Sequence, residues 1–154
     1  MPTKRNICWI RRRSWANGWE WCCFSCRQIQ KDAERLKDFL ALLPGDTRAA
    51  FEFRHESWFD DETFGLLRDR DCALVVSDTD EKPLTEITST ANWGYLRLRK
   101  TNYEPQDLAD WMKRVQEQKW KDAFVFFKHE DEGTGPKLAA QFIALSEPPA
   151  AAGD

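Results

Sequence analysis

The residues best suited to chemistry in this sequence stand where its apolar runs stop. Glu52, Arg54 and His55 follow the stretch that begins at Ala49. Asp78 and Asp80 follow Cys72–Ser77, Arg97 and Arg99 bracket the end of Trp93–Leu98, and Lys128 and His129 close the run from Ala123. Two carboxylates such as Glu52 and Asp78 suit general acid/base work, in which one group supplies a proton and the other removes one. The guanidinium of Arg97 is a planar fork that matches a phosphate or a carboxylate. Glu52, His55, Asp78 and Arg97 are therefore the candidate catalytic cluster. The same residues could instead form an internal ion-pair network, with Glu52 and Arg97 neutralising one another between strands, because buried charges must be paired. Both alternatives remain open at the level of sequence.

Other motifs carry less. Cys23-Phe-Ser-Cys26 is a C-x-x-C, and Cys8, Cys22, His55 and His129 are further ligand types. A structural zinc site shows paired ligand spacings, however, and no second pair exists. No metal site is expected. The acidic turn His129–Gly133 lacks the ligand register of a calcium loop. Trp58, Trp93 and Trp111 read as packing residues at element ends, although each ring could stack on a sugar. No phosphate-binding Walker loop, nucleophile elbow or dinucleotide fingerprint is present, so no cofactor is indicated.

The elements that must position these groups alternate in type. Ala33, Leu36, Phe39, Leu40 and Leu43 recur at helical spacing and stop at Pro44-Gly45. Ala49–Arg54 alternates as a short strand, with Phe51 and Phe53 on one face and Glu52 and Arg54 on the other. Asp60–Arg70 is expected to be a helix capped by Asp60 or Asp61, with Phe64 and Leu67 inward. Cys72–Ser77 is almost continuously apolar, as in a strand covered on both faces. Beyond a polar loop with Pro83, Trp93–Leu98 places Tyr95 and Arg97 on one face and Leu96 and Leu98 on the other. Pro105 opens a helix with Leu108, Trp111, Met112 and Val115 buried. Ala123–Lys128 is a fourth strand, and Leu138, Ala139, Phe142 and Leu145 form the inner stripe of a last helix. Strands alternating with helices predict an α/β fold with a parallel sheet.

The chain has 154 residues, is 42% hydrophobic and carries a net charge of −3, the balance of one globular domain. No apolar stretch reaches the roughly 18 residues of a membrane span, and the basic start lacks the apolar core of a secretory signal. A cytoplasmic location is the default expectation. The averages conceal a break near residue 31. Up to Lys31, seven basic residues face the lone acid Glu20, a net of +6, which leaves −9 for the remainder. Four of the five cysteines and four of the eight tryptophans also lie in that head.

Three segments of the orderly part resemble the YecE-like family, also called domain of unknown function 72: FEFRHESWF (Phe51–Phe59), WGYLRLR (Trp93–Arg99) and FVFFKHEDEGTGPKLA (Phe124–Ala139). ALVVSDTD (Ala73–Asp80) fits the strand between the first two. The resemblance covers about residues 31–146 and implies a TIM-like barrel, of which these residues would be the last four strands of eight. The expectation is the C-terminal half of a (β/α) barrel, a truncated fragment of about four parallel strands with outer helices. The mouth of such a barrel carries its reactive groups at the carboxyl ends of the strands.

Family members carry a strand of the type LGxxLFQLPP just before the helix at Lys31, and here GWEWCCFSCRQIQ (Gly18–Gln30) takes its place. Trp codons are TGG and Cys codons TGC or TGT, so a frame shifted by two bases reads Leu, Val or Met. Over Gly18–Gln30 the shifted frame permits LGVVLFQLPPNSK. Residues 1–30 are thus expected to be a frameshifted or disordered segment, with the family's fourth strand missing and residues 147–154 a disordered tail.

Three functions follow for testing. The chain could be a barrel fragment without independent activity, self-associating through open sheet edges. It could belong to an enzyme of unknown reaction, with a small-molecule ligand at the Glu52, His55, Asp78 and Arg97 cluster. Its basic, aromatic head could also bind nucleic acid. The pI of about 5.5 disfavours that last function.

Overall fold

In a computed structural model the described residues are 9–14 and 20–25, for which the backbone alone is considered, together with 30–82, 86–127 and 133–146. They fall into two units. One comprises residues 1–75 and 88–92, the other residues 76–87 and 93–154.

In the first unit, strands β1 (Trp9–Ser14) and β2 (Glu20–Ser25) pair antiparallel. Helix α1 (Ala33–Leu42) follows, capped by Asp32, whose carboxylate accepts from the Arg35 N–H. Strand β3 (Arg48–Glu52) lies parallel to β2 in the register Trp21–Arg48 to Ser25–Glu52. A 3-10 turn over Glu56–Trp58 leads to α2 (Asp61–Arg68), capped by Asp60. Asp71 ends that helix at a φ of +48°, a left-handed conformation that aspartate tolerates better than most side chains. Strand β4 (Ala73–Asp78) then runs parallel to β3.

Alternation sorts the side chains. Ala49, Phe51 and Phe53 pack with Leu36 and Leu40 of α1, Leu67 of α2, Trp58 and Leu74. Phe53 stacks on Trp58 at 4.5 Å between ring centres. Glu52, one residue out of phase, points to the opposite face.

The second unit takes the end of β4, then β5 (Trp93–Leu98), α3 (Pro105–Glu117), β6 (Asp122–Phe127) and α4 (Thr134–Ser146). β5 and β6 pair in parallel from Trp93–Asp122 to Leu98–Phe127. Pro105 opens α3, and the Asp107 carboxylate accepts from the Glu104 N–H. Val76, Leu96 and Leu98 pack with Leu108, Trp111 and Met112 of α3 and with Leu138 and Phe142 of α4. The other face of the two strands carries aromatic pairs, Trp93 with Phe124 and Tyr95 with Phe126.

Within the head, the backbone of β2 lies beside β3. Parallel pairing is carried by backbone amides and carbonyls, and Trp, Cys and Phe are compatible with strands. One expectation, the burial of Leu145, needs correction. Leu145, expected in the inner stripe of α4, is 43% exposed, because the buried stripe runs through Gly135, Leu138 and Phe142. The tail beyond residue 146 lies outside the described residues, as do Lys128 and His129.

Candidate functional site

Glu52 and Asp78, the two carboxylates suited to acid/base work, belong to different units, and each has partners in its own. Glu52 ends β3, is 2% exposed, and its Oε1 lies 3.9 Å from the guanidinium of Arg54. His55 is held by its own turn: Nδ1 accepts from the Ser57 N–H at 3.2 Å and lies 2.8 Å from the Ser57 hydroxyl. The imidazole thereby caps the 3-10 turn. Nearby, the Lys31 ammonium contacts both Asp60 and Glu62. The hydrogen bond to Lys31, followed by those from Thr63, lowers the Asp60 carboxyl to about 2.

Asp78 is the last residue of β4 and is fully buried. It is in phase with Val76, so it points to the face that carries the helices. There the Tyr103 hydroxyl donates to Oδ2 at 3.2 Å, and the Lys100 ammonium lies 3.3 Å from the same oxygen. Burial holds the Tyr103 phenol well above its ordinary range; the hydrogen bond from the Lys100 amide opposes this, and the charge of Asp78 adds to it. The phenol O–H and the Lys100 ammonium together satisfy this buried carboxylate.

Arg97 and Ser77 stand on the other face. Arg99 extends the same phase, and its Nη2 donates to the Ser77 hydroxyl at 2.7 Å. The main chains of the two strands join here as well, since the Arg99 N–H donates to the Asp78 carbonyl at 2.9 Å. Two guanidiniums and a hydroxyl thus share one face at the carboxyl ends of β4 and β5, beyond the Tyr95–Phe126 ring pair. Of the candidates in this unit, Asp78 and Arg97 are placed on opposite faces of neighbouring strands.

Sequence reasoning missed Ser77, Lys100 and Tyr103. Ser77 had a usable signal, because it is the one hydroxyl in an apolar run and is out of phase with Val76. Tyr103 had a weaker one, an aromatic residue with a polar tip two positions before the helix-opening Pro105. Trp58, Trp93 and Trp111 are buried packing residues, as expected. Among the described residues no group of three or more His, Cys, Asp or Glu could hold a metal ion, and no helix is long and apolar enough to cross a membrane.

Parallel strands followed by helices, with charged side chains at the carboxyl ends of the strands, define an α/β fold. The chain belongs to the family described as protein of unknown function DUF72, whose profile matches residues 24–152. Its fold is similar to the crystal structure of a DUF72 family protein from Thermotoga maritima, with a TM-score of 0.67 and 22% identity. That match covers 83% of this chain and 58% of the other, so the chain spans little more than half the length of its structural relative. No curated protein matches the chain.

Proposed function

We propose that this DUF72 chain binds a small anion, the phosphate or carboxylate of a small molecule, through Arg97 and Arg99 with Ser77. The observation that carries this is the 2.7 Å bond from Arg99 Nη2 to the Ser77 hydroxyl, which draws the second guanidinium onto the face already occupied by Arg97. Carboxyl ends of parallel strands are the usual place for ligands in barrel folds. Guanidinium forks are the usual group for phosphate and carboxylate. The aromatic pairs behind them lower the local dielectric, which strengthens an ionic contact.

Binding, not turnover by this chain alone, is the function these residues support. Glu52 and Asp78 are the carboxylates suited to proton transfer, and they are engaged by Arg54 and by Tyr103 with Lys100 respectively. An acid/base role for Glu52 and His55 in a full-length relative would be an additional step.

The test is titration of the full chain with inorganic phosphate, followed by NMR of the arginine Nε–H signals. Arg97→Ala and Arg99→Ala are each expected to weaken binding by about ten-fold or more, the loss of a charge-assisted hydrogen bond. Unchanged affinity in the double variant would overturn the proposal.

A further inference from the structure

We infer that Asp80, acting with Asp78, is a positioning residue that holds the Arg99 guanidinium in place through the loop Arg99–Tyr103; this rests on the anion site proposed above. The turn after β4 is self-closed, with the Lys82 N–H donating to the Thr79 hydroxyl at 3.1 Å and the Thr79 N–H to the Lys82 carbonyl at 3.4 Å. From this turn the Asp80 carboxylate reaches the loop after β5. Its Oδ2 accepts from the Thr101 N–H at 2.8 Å and from the Thr101 hydroxyl at 2.5 Å. Asp78 holds the same loop from the other side, taking Lys100 at 3.3 Å and Tyr103 at 3.2 Å. The Tyr103 oxygen in turn accepts from the Lys100 N–H at 3.1 Å.

Every residue from Arg99 to Thr101 therefore has its backbone N–H bonded to the β4 end, to its following turn or to Tyr103. Arg99 is the first residue of this clamped segment and the one whose side chain crosses to Ser77. A guanidinium fork binds well when its backbone is fixed before the ligand arrives, because the ordering cost is then not charged against binding. The two bonds to Thr101 are the route by which Asp80 acts on this loop.

Charge and clamp make opposite predictions, which gives the experiment its force. Removing a carboxylate near two arginines raises the local positive potential and by itself tightens anion binding. Loosening the loop weakens it. Asp80→Ala removes the charge and both acceptor bonds, whereas Asp80→Asn removes the charge but keeps an oxygen that can accept from Thr101. Asp80 is exposed, so both variants should fold.

The full chain and both variants are titrated with inorganic phosphate, and amide exchange is measured without phosphate. Asp80→Ala is expected to bind phosphate about five-fold more weakly than Asp80→Asn, the cost of ordering a loop at binding. Its Thr101 amide and Arg99 Nε–H should exchange about ten-fold faster, as for a locally opened segment. Equal or tighter binding by Asp80→Ala overturns the inference. If the unmodified chain does not bind phosphate, the anion site falls, and exchange alone decides the clamp. Unchanged exchange at Thr101 and Arg99 then overturns it, and faster exchange sustains it.

Discussion

The Tyr103 hydroxyl donates to the buried Asp78 carboxylate across 25 positions of sequence, and the Lys100 ammonium reaches the same oxygen. Tyr103 also touches Phe127 edge-on, so its ring belongs to the core and its tip to the ion pair. Tyr103→Phe should cost about 1–2 kcal/mol, because it removes the bond to Asp78, whose carboxylate keeps Lys100, and the bond from the Lys100 N–H. Asp78→Ala should cost about 2–3 kcal/mol, because it strands the phenol and the ammonium together. Lys100 retains some water, which keeps the figure below that of a fully buried pair. Urea unfolding measures both, and an Asp78→Ala chain as stable as the parent would contradict the assignment.

Thr90 bridges a break in the first unit's backbone bonding. Its hydroxyl donates to the Cys72 carbonyl and accepts from the Leu74 N–H, both at 2.8 Å, and the residue is 4% exposed. Thr90→Val keeps the shape and removes the bridge, leaving two buried backbone groups without this partner. A loss of about 2 kcal/mol is expected, with Thr90→Ser recovering most of it. Equal stability of the Val and Ser variants would show that the hydroxyl is dispensable.

Gly94 in β5 has the ring of Trp120 against its backbone. A methyl group at Gly94 would lie 2.3 Å from the indole carbons, far inside van der Waals contact. Gly94→Ala should therefore destabilise by about 1–3 kcal/mol through overpacking. Because the obstacle is a side chain, Trp120→Leu should partly relieve the penalty, and the two changes should be non-additive in thermal unfolding. A strictly additive double variant would place the strain elsewhere.

The Lys31–Asp60 contact predicts an acid limb in the stability profile. The Asp60 carboxyl is lowered from 3.8 to about 2 by Lys31 and by Thr63. Its contribution is present above pH 3.8 and fades as the pH falls towards about 2, because the unfolded chain takes up the proton first. Lys31 is raised above its ordinary 10.5 by Asp60 and Glu62, so its contribution is present below that pH and is lost as the pH rises through the shifted value. The difference in unfolding midpoint between the parent chain and Asp60→Asn should shrink as the pH falls from 3.8 to about 2. A difference that stays constant over that window would contradict the lowered Asp60 carboxyl.

Local rules were enough to read much of this chain. Alternation in Phe51–Arg54 and Tyr95–Leu98 separated the helix-facing from the opposite face, since successive strand side chains must point to opposite sides. Asp60 and Pro105 marked helix starts for stereochemical reasons that act within one turn. Which groups meet was decided by tertiary structure. Asp78 is in phase with Val76, yet its pairing with Tyr103 and Lys100 depends on how the loop after β5 folds back over β4. His55 resembles a catalytic residue by type but is consumed in a cap two residues away. The pairing of Glu20–Ser25 with β3 was equally hidden, because backbone hydrogen bonds carry no side-chain signature. The sequence by itself determined the order of strands and helices and which strand residues share a face; the packed chain decided which carboxylates are engaged and which arginines share a face with a hydroxyl, because partners distant in sequence are chosen by packing and not by local propensity.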